Sequence, residues 1–401
     1  MQEKQHRRII NAWAMYDWGN SAFSTTIMAA VLPVYYTSVA AGALAPNIAT
    51  AYWGFTSSIS AFIAAVISPI LGAVADFSGA KKKFLTAFMA LGVTGTALLY
   101  FVQSGDWMLA SLLFIFGNIG FAGSLVYYDS LLPHIARPEE IDQVSSRGYA
   151  LGYIGGGVLL TINLIMIMFL PDLLGVDAGL MTRLSFVSVA VWWAVFTLPL
   201  LLRVREPERR ILPGEEHFNP MQASFKRLAQ TFREIRHYRD LSMAMLAFWV
   251  YANGIGTIIV MATAYGTELG FGKTTLIGTL LMVQFVAAPF AFLFGWLASK
   301  IGTKRAIYIC LGVYSLISIL GFFMYQEWQF WMLGLMVATV QGGSQALSRS
   351  LIGKLIPKSK SAEFFGFFSV FEKFASILGP LLFGIVSTLM GGSRLSIVSL
   401  I

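Results

Sequence analysis

Residues Tyr16–Ser24 read YDWGNSAFS and place Asp17, Asn20, Ser21 and Ser24 at i, i+3, i+4 and i+7. At helical spacing these four share one face. The sequence around them is apolar enough to span a bilayer. There an ionised carboxylate costs about 2.5–3.5 kcal/mol on the mildest scale. An acid kept in such a place is a candidate for holding a proton, a cation or a solute amine.

Other polar residues repeat the pattern. Gln341, Ser344, Gln345, Ser348 and Arg349 form a second stripe, and Trp249, Asn253 and Gly256 a weaker one. Asn118 and Asp129 stand three turns apart on one face. Glu372 and Lys373 are adjacent in an apolar run, and Glu372 is expected roughly 15 Å below the membrane surface at the helical rise. Ionisable residues at that depth mark ion or solute pathways, or tie one helix to another. Tyr149 and Tyr153 lie one turn apart, where they can meet an aromatic or aliphatic ligand. Gly148, Gly152 and Gly155–Gly157 offer a face for close helix packing. The competing role for the serines is hydrogen bonding between helices.

The elements that must position these residues follow from hydropathy. Of 401 residues, 57% are hydrophobic and 12% charged, with a mean hydropathy of +0.70. This is a polytopic membrane protein. Runs of about 20 apolar residues predict spans over roughly 10–39, 50–76, 84–103, 107–135, 145–170 and 181–202, then 240–266, 274–299, 304–325, 329–356 and 363–390. A twelfth begins at Arg394 and is expected to be truncated. The organisation expected is a first six-helix bundle over 1–202, a linker over 203–239 and a second bundle over 240–401. In the linker Phe225, Leu228, Phe232 and Ile235 recur at helical spacing among basic residues, as in an interfacial amphipathic helix.

The net charge of +8 is a topology signal. With the N terminus inside, 24 of the 28 Lys and Arg fall in inner segments, three in outer loops, and Lys373 within a span. That is the positive-inside bias and gives nucleic-acid binding no support. A single cysteine, Cys310, excludes a disulfide within the chain and a cysteine metal site. The four histidines lie in or beside polar segments, and no metal or other cofactor is expected. No P-loop, HExxH or GxSxG pattern is present, so nothing points to an enzyme.

The two halves carry an internal repeat. The loop after the second span reads GAVADFSGAKKK, with Gly72, Asp76, Gly79, Lys81 and Lys82; that after the eighth reads GWLASKIGTKR, with Gly295, Ser299, Gly302, Lys304 and Arg305. Both fit G-x-x-x-[DS]-x-x-G-x-K-[KR], offset by 223 residues. Six spans precede the linker and at least five follow, the pattern of a parallel repeat.

This loop resembles the signature of the major facilitator superfamily. YDWGNSAF, SRGYALGYIGGG (Ser146–Gly157), QALSRSLIGKLIP (Gln345–Pro357) and SAEFFGFFSVFEKFASILGPLLFG (Ser361–Gly384) resemble the autophagy-related vacuole effluxer branch and its bacterial relatives. The resemblance implies an all-α fold of two six-helix bundles related by a pseudo-two-fold. It implies a central cavity lined by the first, fourth, seventh and tenth helices, so that Asp17 faces water. The fungal members are associated with export of amino acids from the vacuole. Two departures stand out. The fourth span lacks the Arg that supports the first loop in many superfamily members, so Asp76 needs another partner, a helix N-terminus or Lys81–Lys83. Ser299 replaces the acid of the second loop.

The expected function is secondary transport of a small polar or zwitterionic solute, an amino acid among them, by alternating access. Asp17 with Arg349 or Lys373 would offer both signs of charge, and Asp17, Asp129 or Glu372 could carry a coupling proton. The alternative is a solute sensor on the same fold that binds without transporting. The expected setting is a monomer in a bacterial inner membrane, with solute, protons and lipid as partners.

Overall fold

The computed structural model describes residues 2–208, 226, 229, 238–390 and 396–397. The hydrophobic segment of the expected amphipathic helix and most of the expected twelfth span lie outside the described residues. Among the described residues eleven long helices form where eleven spans are predicted. They are α1 (Gln2–Ala22), α2 (Pro46–Ser78), α3 (Lys81–Leu98), α4 (Trp107–Ile135), α5 (Ile141–Leu174) and α6 (Ala178–Arg203), then α7 (Arg239–Glu268), α8 (Lys273–Ile301), α9 (Thr303–Phe322), α10 (Glu327–Leu355) and α11 (Ser361–Met390). Among the described residues there is no strand. The first span runs on to Ala40 through π-helical stretches Phe23–Ala30 and Tyr36–Ala40. The first of these begins within the polar stripe, and π-helical turns are frequent at functional sites.

Ten of these spans are long and apolar enough to cross a membrane. α10 is as long as its neighbours, at 29 residues, but falls short in hydropathy. The cause is its own stripe. Gln341, Ser344, Ser348, Arg349 and Ser350 are all buried, so α10 turns its polar residues into protein.

Contacts divide the chain into two units. One holds Met1–Ile135, Leu151–Ala229 and Lys358–Gly366; the other holds Ala136–Ala150, Gln230–Pro357 and Phe367–Ile401. The start of α5 therefore belongs with the second unit, and the start of α11 with the first.

Small residues set the packing in the first unit. A Cβ built on Gly120 of α4 would lie 2.3 Å from the Gly92 nitrogen of α3, and one on Gly95 would lie 2.9 Å from the Gly117 nitrogen. The backbones meet directly, as small-residue interfaces in membranes allow. In the second unit Ile255, Tyr265, Ile307, Tyr314, Phe330 and Leu347 belong to one apolar core. Cys310 is fully buried in it.

That thiol reports unfolding. Gly120→Ala should lower the apparent Tm, read as exposure of Cys310 to a thiol-reactive dye. The overpacking cost of about 1–3 kcal/mol outweighs the gain in helix propensity of roughly 1 kcal/mol. An unchanged Tm would refute the close approach of α3 and α4.

Candidate solute and gating sites

In the first unit Asp17 is buried, and the phenol of Tyr128 on α4 donates to its Oδ2 at 2.8 Å. Tyr128 is held in turn. Its ring stacks on Trp13 at 4.3 Å and packs against Tyr16 at 4.8 Å, and its carbonyl accepts from Trp13 Nε1 at 3.0 Å. On the α5 side Gly152 makes room: a Cβ there would lie 2.5 Å from Ser21 Oγ and 3.5 Å from Asp17 Cβ. Gly155 likewise admits the Trp18 carbonyl. The glycine face of α5 is thus the seat of the polar turn of α1.

The rest of the first stripe divides. Asn20 is buried, with no hydrogen-bond partner for its Nδ2, and Ser24 is exposed. The hydroxyl of Tyr16 lies among Ser124, Trp193 and Asn20 without reaching a good hydrogen-bond geometry. On α4, Asn118 donates to Ser60 at 2.8 Å, a link to α2. Asp129 is half-buried and Tyr153 buried.

In the second unit Arg349 is 2% exposed. It donates to Ser145 twice, Nε to Oγ at 2.9 Å and Nη2 to the carbonyl at 2.8 Å. Its guanidinium also lies over the Tyr149 ring at 4.3 Å. Arg349 therefore ties α10 to the start of α5, and brings Tyr149 with it. Ser348 Oγ donates to the Ser344 carbonyl at 2.6 Å and lies 2.5 Å from the Tyr251 hydroxyl. Asn253 donates to the Trp249 carbonyl at 2.6 Å, leaving its buried Oδ1 without a partner. Gln341 lines an apolar cavity with Thr257, Tyr265 and Phe330, while Gln345 is half-buried. Glu372 is exposed and Lys373 half-buried.

The repeated loops turn alike and then grip differently. Gly79 (φ 64°) and Gly302 (φ 93°) end α2 and α8 in conformations that favour glycine. The first glycine of each repeat forms a groove for a helix start. A Cβ on Gly72 would lie 2.1 Å from the Ala362 carbonyl of α11, and one on Gly295 would lie 2.6 Å from Ser146 Cβ of α5.

In the first unit Asp76 meets Lys81 Nζ at 2.8 Å and accepts the backbone N–H of Glu363 at 2.8 Å. That N–H is in the first turn of α11, where a helix has no acceptor of its own and favours negative charge. Lys81 also donates to Ser361 Oγ at 2.5 Å and lies 3.1 Å from His134 Nε2. An ammonium only donates, so that ring nitrogen is the acceptor. Lys82 donates to the carbonyls of Leu201 and Val204, at 2.9 and 2.5 Å, closing the end of α6. Glu206 accepts the Lys82 N–H at the start of α3.

In the second unit Ser299 is exposed and donates to the Trp296 carbonyl of its own helix. The acid comes from the docking helix instead. Asp142, in the first turn of α5, accepts from Ser350 at 2.6 Å, Lys354 at 2.6 Å and Thr303 at 2.9 Å. Lys304 and Arg305 are exposed. Asp142, Thr303 and Lys354 were not among the residues the sequence singles out. Asp142 sits among loop acids Glu139 and Glu140, and its usable signal is its first-turn position, matched by Glu363 in α11.

Residues 45–401 match the family described as vacuole effluxer Atg22 like. The chain belongs to this family. It is 42% identical over 393 residues to an uncharacterised MFS-type transporter, YxiO, of Bacillus subtilis strain 168, covering 98% of this chain and 91% of the relative. It is 25% identical over 415 residues to autophagy-related protein 22 of Coccidioides immitis, covering 85% and 68%. Among solved structures the fold is similar to the proton:xylose symporter XylE, with a TM-score of 0.74 at 13% identity over 100% of this chain and 94% of that one. It is also similar to the transporter FucP, with a TM-score of 0.69 at 13% identity over 98% and 94%. The Atg22-like chain is thus a multi-pass membrane transporter of the major facilitator fold, and its relatives are transporters rather than enzymes.

Removing the Asp142 carboxylate leaves Lys354, whose side chain is 29% exposed, without its counter-ion. Asp142→Ala should cost about 1–3 kcal/mol, less than the roughly 3–5 of a fully buried pair because Lys354 reaches water. Asp142→Leu combined with Lys354→Met should recover part of the loss. Thermal unfolding of Asp142→Leu, Lys354→Met and the double variant, with Ser299→Ala as the neutral control, measures the coupling. Additive losses would show that the pair is not coupled.

Proposed function

We propose that this transporter moves a small zwitterionic solute, of the amino-acid class, by alternating access, and that Asp17 is the carboxylate that meets the solute amine or the coupling proton. The observation that carries the reading is the seat of Asp17. It is the acid of the family-like YDWGNSAF turn, it is buried, and its hydrogen-bond support comes from a tyrosine on α4. Such an acid in a membrane helix is a functional candidate by default. Asp129 and Glu372 are the runners-up for the proton.

Arg349 is bound up with Ser145 and Tyr149. It serves the solute carboxylate only in a state in which the start of α5 has let go, and Lys373 is the other basic candidate. The repeated loops supply that release. Asp76 holds the start of α11 and Asp142 is held at the start of α5. Breaking these grips is the conformational step, and the N terminus and linker lie in the cytoplasm with them.

Three measurements test this. Asp17→Asn should insert normally and lose at least about tenfold of pH-driven uptake of labelled amino acids in proteoliposomes. Wild-type uptake by this variant would remove Asp17 from the mechanism. Asp76→Asn should slow transport while leaving binding, read by thermal shift, within about twofold. Loss of binding by a folded variant would make Asp76 a site residue. In a Cys310→Ala background, cysteines at exposed Ser104 and Glu139 should label from opposite sides of the membrane; labelling of both from outside would overturn the topology.

A further inference from the structure

We propose that the groove between α1 and α6 is a binding site for an anionic phospholipid, with the phosphate held by Arg8 and Arg203 and an acyl chain lying along α6. The site uses none of the residues assigned above to solute or gating.

The groove follows from how the two helices pack. They close on each other where Gly19 makes room: a Cβ there would lie 3.0 Å from Phe196 Cβ, and the Trp18 and Trp192 rings stack at 6.1 Å. Towards the start of α1 and the end of α6 the side chains no longer fill the space, and a groove of about 290 Å³ opens. Asn11, Ala12 and Met15 form its α1 side. Its α6 side runs from Val195 past Leu198 to Leu202 and Arg203.

The groove is apolar along its length and basic at one end. Val195, Leu198 and Leu202 are exposed. From Val195 to Arg203 it extends about 12 Å at the helical rise, against about 15 Å for half the hydrocarbon core of a bilayer. That is the reach of an acyl chain in one leaflet. At the basic end Arg203 lines the groove, and Arg8 stands one turn before Asn11 on the same face of α1. Both arginines are exposed, and neither has an ion-pair partner among the described residues. The acids at these two helix ends are engaged: Glu3 pairs with Arg7 at 3.5 Å, and Glu206 accepts the Lys82 N–H. Two guanidiniums above an apolar groove suit a ligand that joins a phosphate to a hydrocarbon tail. Free phosphate would leave the leucines unused, and a zwitterionic lipid would bring its own cation to the arginines.

The test uses the full chain in nanodiscs of phosphatidylcholine with a minor share of phosphatidylglycerol. Site-specific benzoylphenylalanine at Leu198 captures what lies in the groove, and at Met168, exposed on α5, it samples the surrounding bilayer. The ratio of phosphatidylglycerol to phosphatidylcholine in the adducts should be about fivefold or more higher at position 198 than at 168. Arg8→Gln with Arg203→Gln should bring the two ratios together, whereas Arg8→Lys with Arg203→Lys should keep most of the difference. Equal ratios in the wild-type chain overturn the inference whether or not a variant folds, and so does a difference that survives the double glutamine change. Adducts to residues 225–235 of the chain would make the linker the occupant instead. Loss of the enrichment with inorganic phosphate, but not with chloride at equal ionic strength, would reduce the groove to a free-anion site.

Discussion

An acid taken out of water inside a membrane protein has to be given donors by other helices, and much of this structure follows from how three acids are served. Asp17 receives the phenol of Tyr128. Asp76 receives Lys81 and a helix N–H. Asp142 receives two hydroxyls and an ammonium. Without those donors each carboxylate would cost several kcal/mol. With them, each joins elements far apart in sequence. The three acids are thus costly residues to bury that also join helices far apart in sequence.

The two inner loops show how a repeat keeps its shape while its chemistry moves. What the copies share is backbone: a glycine with positive φ to end the helix and an earlier glycine to let another helix start approach. Those needs are steric, and no other residue meets them. What they do not share is the side of the contact that carries the charge. In the first unit the loop has the acid, Asp76, and the docking helix offers its N–H. In the second the docking helix has the acid, Asp142, and the other side offers Thr303, Ser350 and Lys354. A helix start and a carboxylate attract whichever partner owns the carboxylate, so long as something of opposite polarity faces it. That freedom let Ser299 take the place of an acid without loss of the grip.

The same distinction decides what was legible beforehand. Among the described residues hydropathy and period located each long helix, because each span must be apolar over about 20 residues whatever it packs against. The glycines of the loops were legible because their requirement is local. Asp76 came with a short list of partners, a helix start or Lys81–Lys83, and the structure uses both kinds. Asp142 could not be read, since its three partners lie more than 160 residues away and its own neighbours look like an ordinary charged loop. Arg349 shows the opposite failing. Its stripe marks it as a residue turned to a polar surrounding, but periodicity cannot tell a solute from Ser145 and Tyr149.

The YDWGNSAFS turn shows how far a stripe can mislead and still point to the right place. Its four polar residues share one face, yet that face meets several environments. Asp17 is seated between Tyr128 of α4 and Gly152 of α5. Ser21 fills the space that a side chain at Gly152 would take, and Ser24 is exposed one turn further on. A purely structural stripe would need no such gradation, because serines and asparagines bonding across an interface do best when all are enclosed. Here burial falls away along the face while the one charged residue sits at its enclosed end, where the phenol of Tyr128 donates to it.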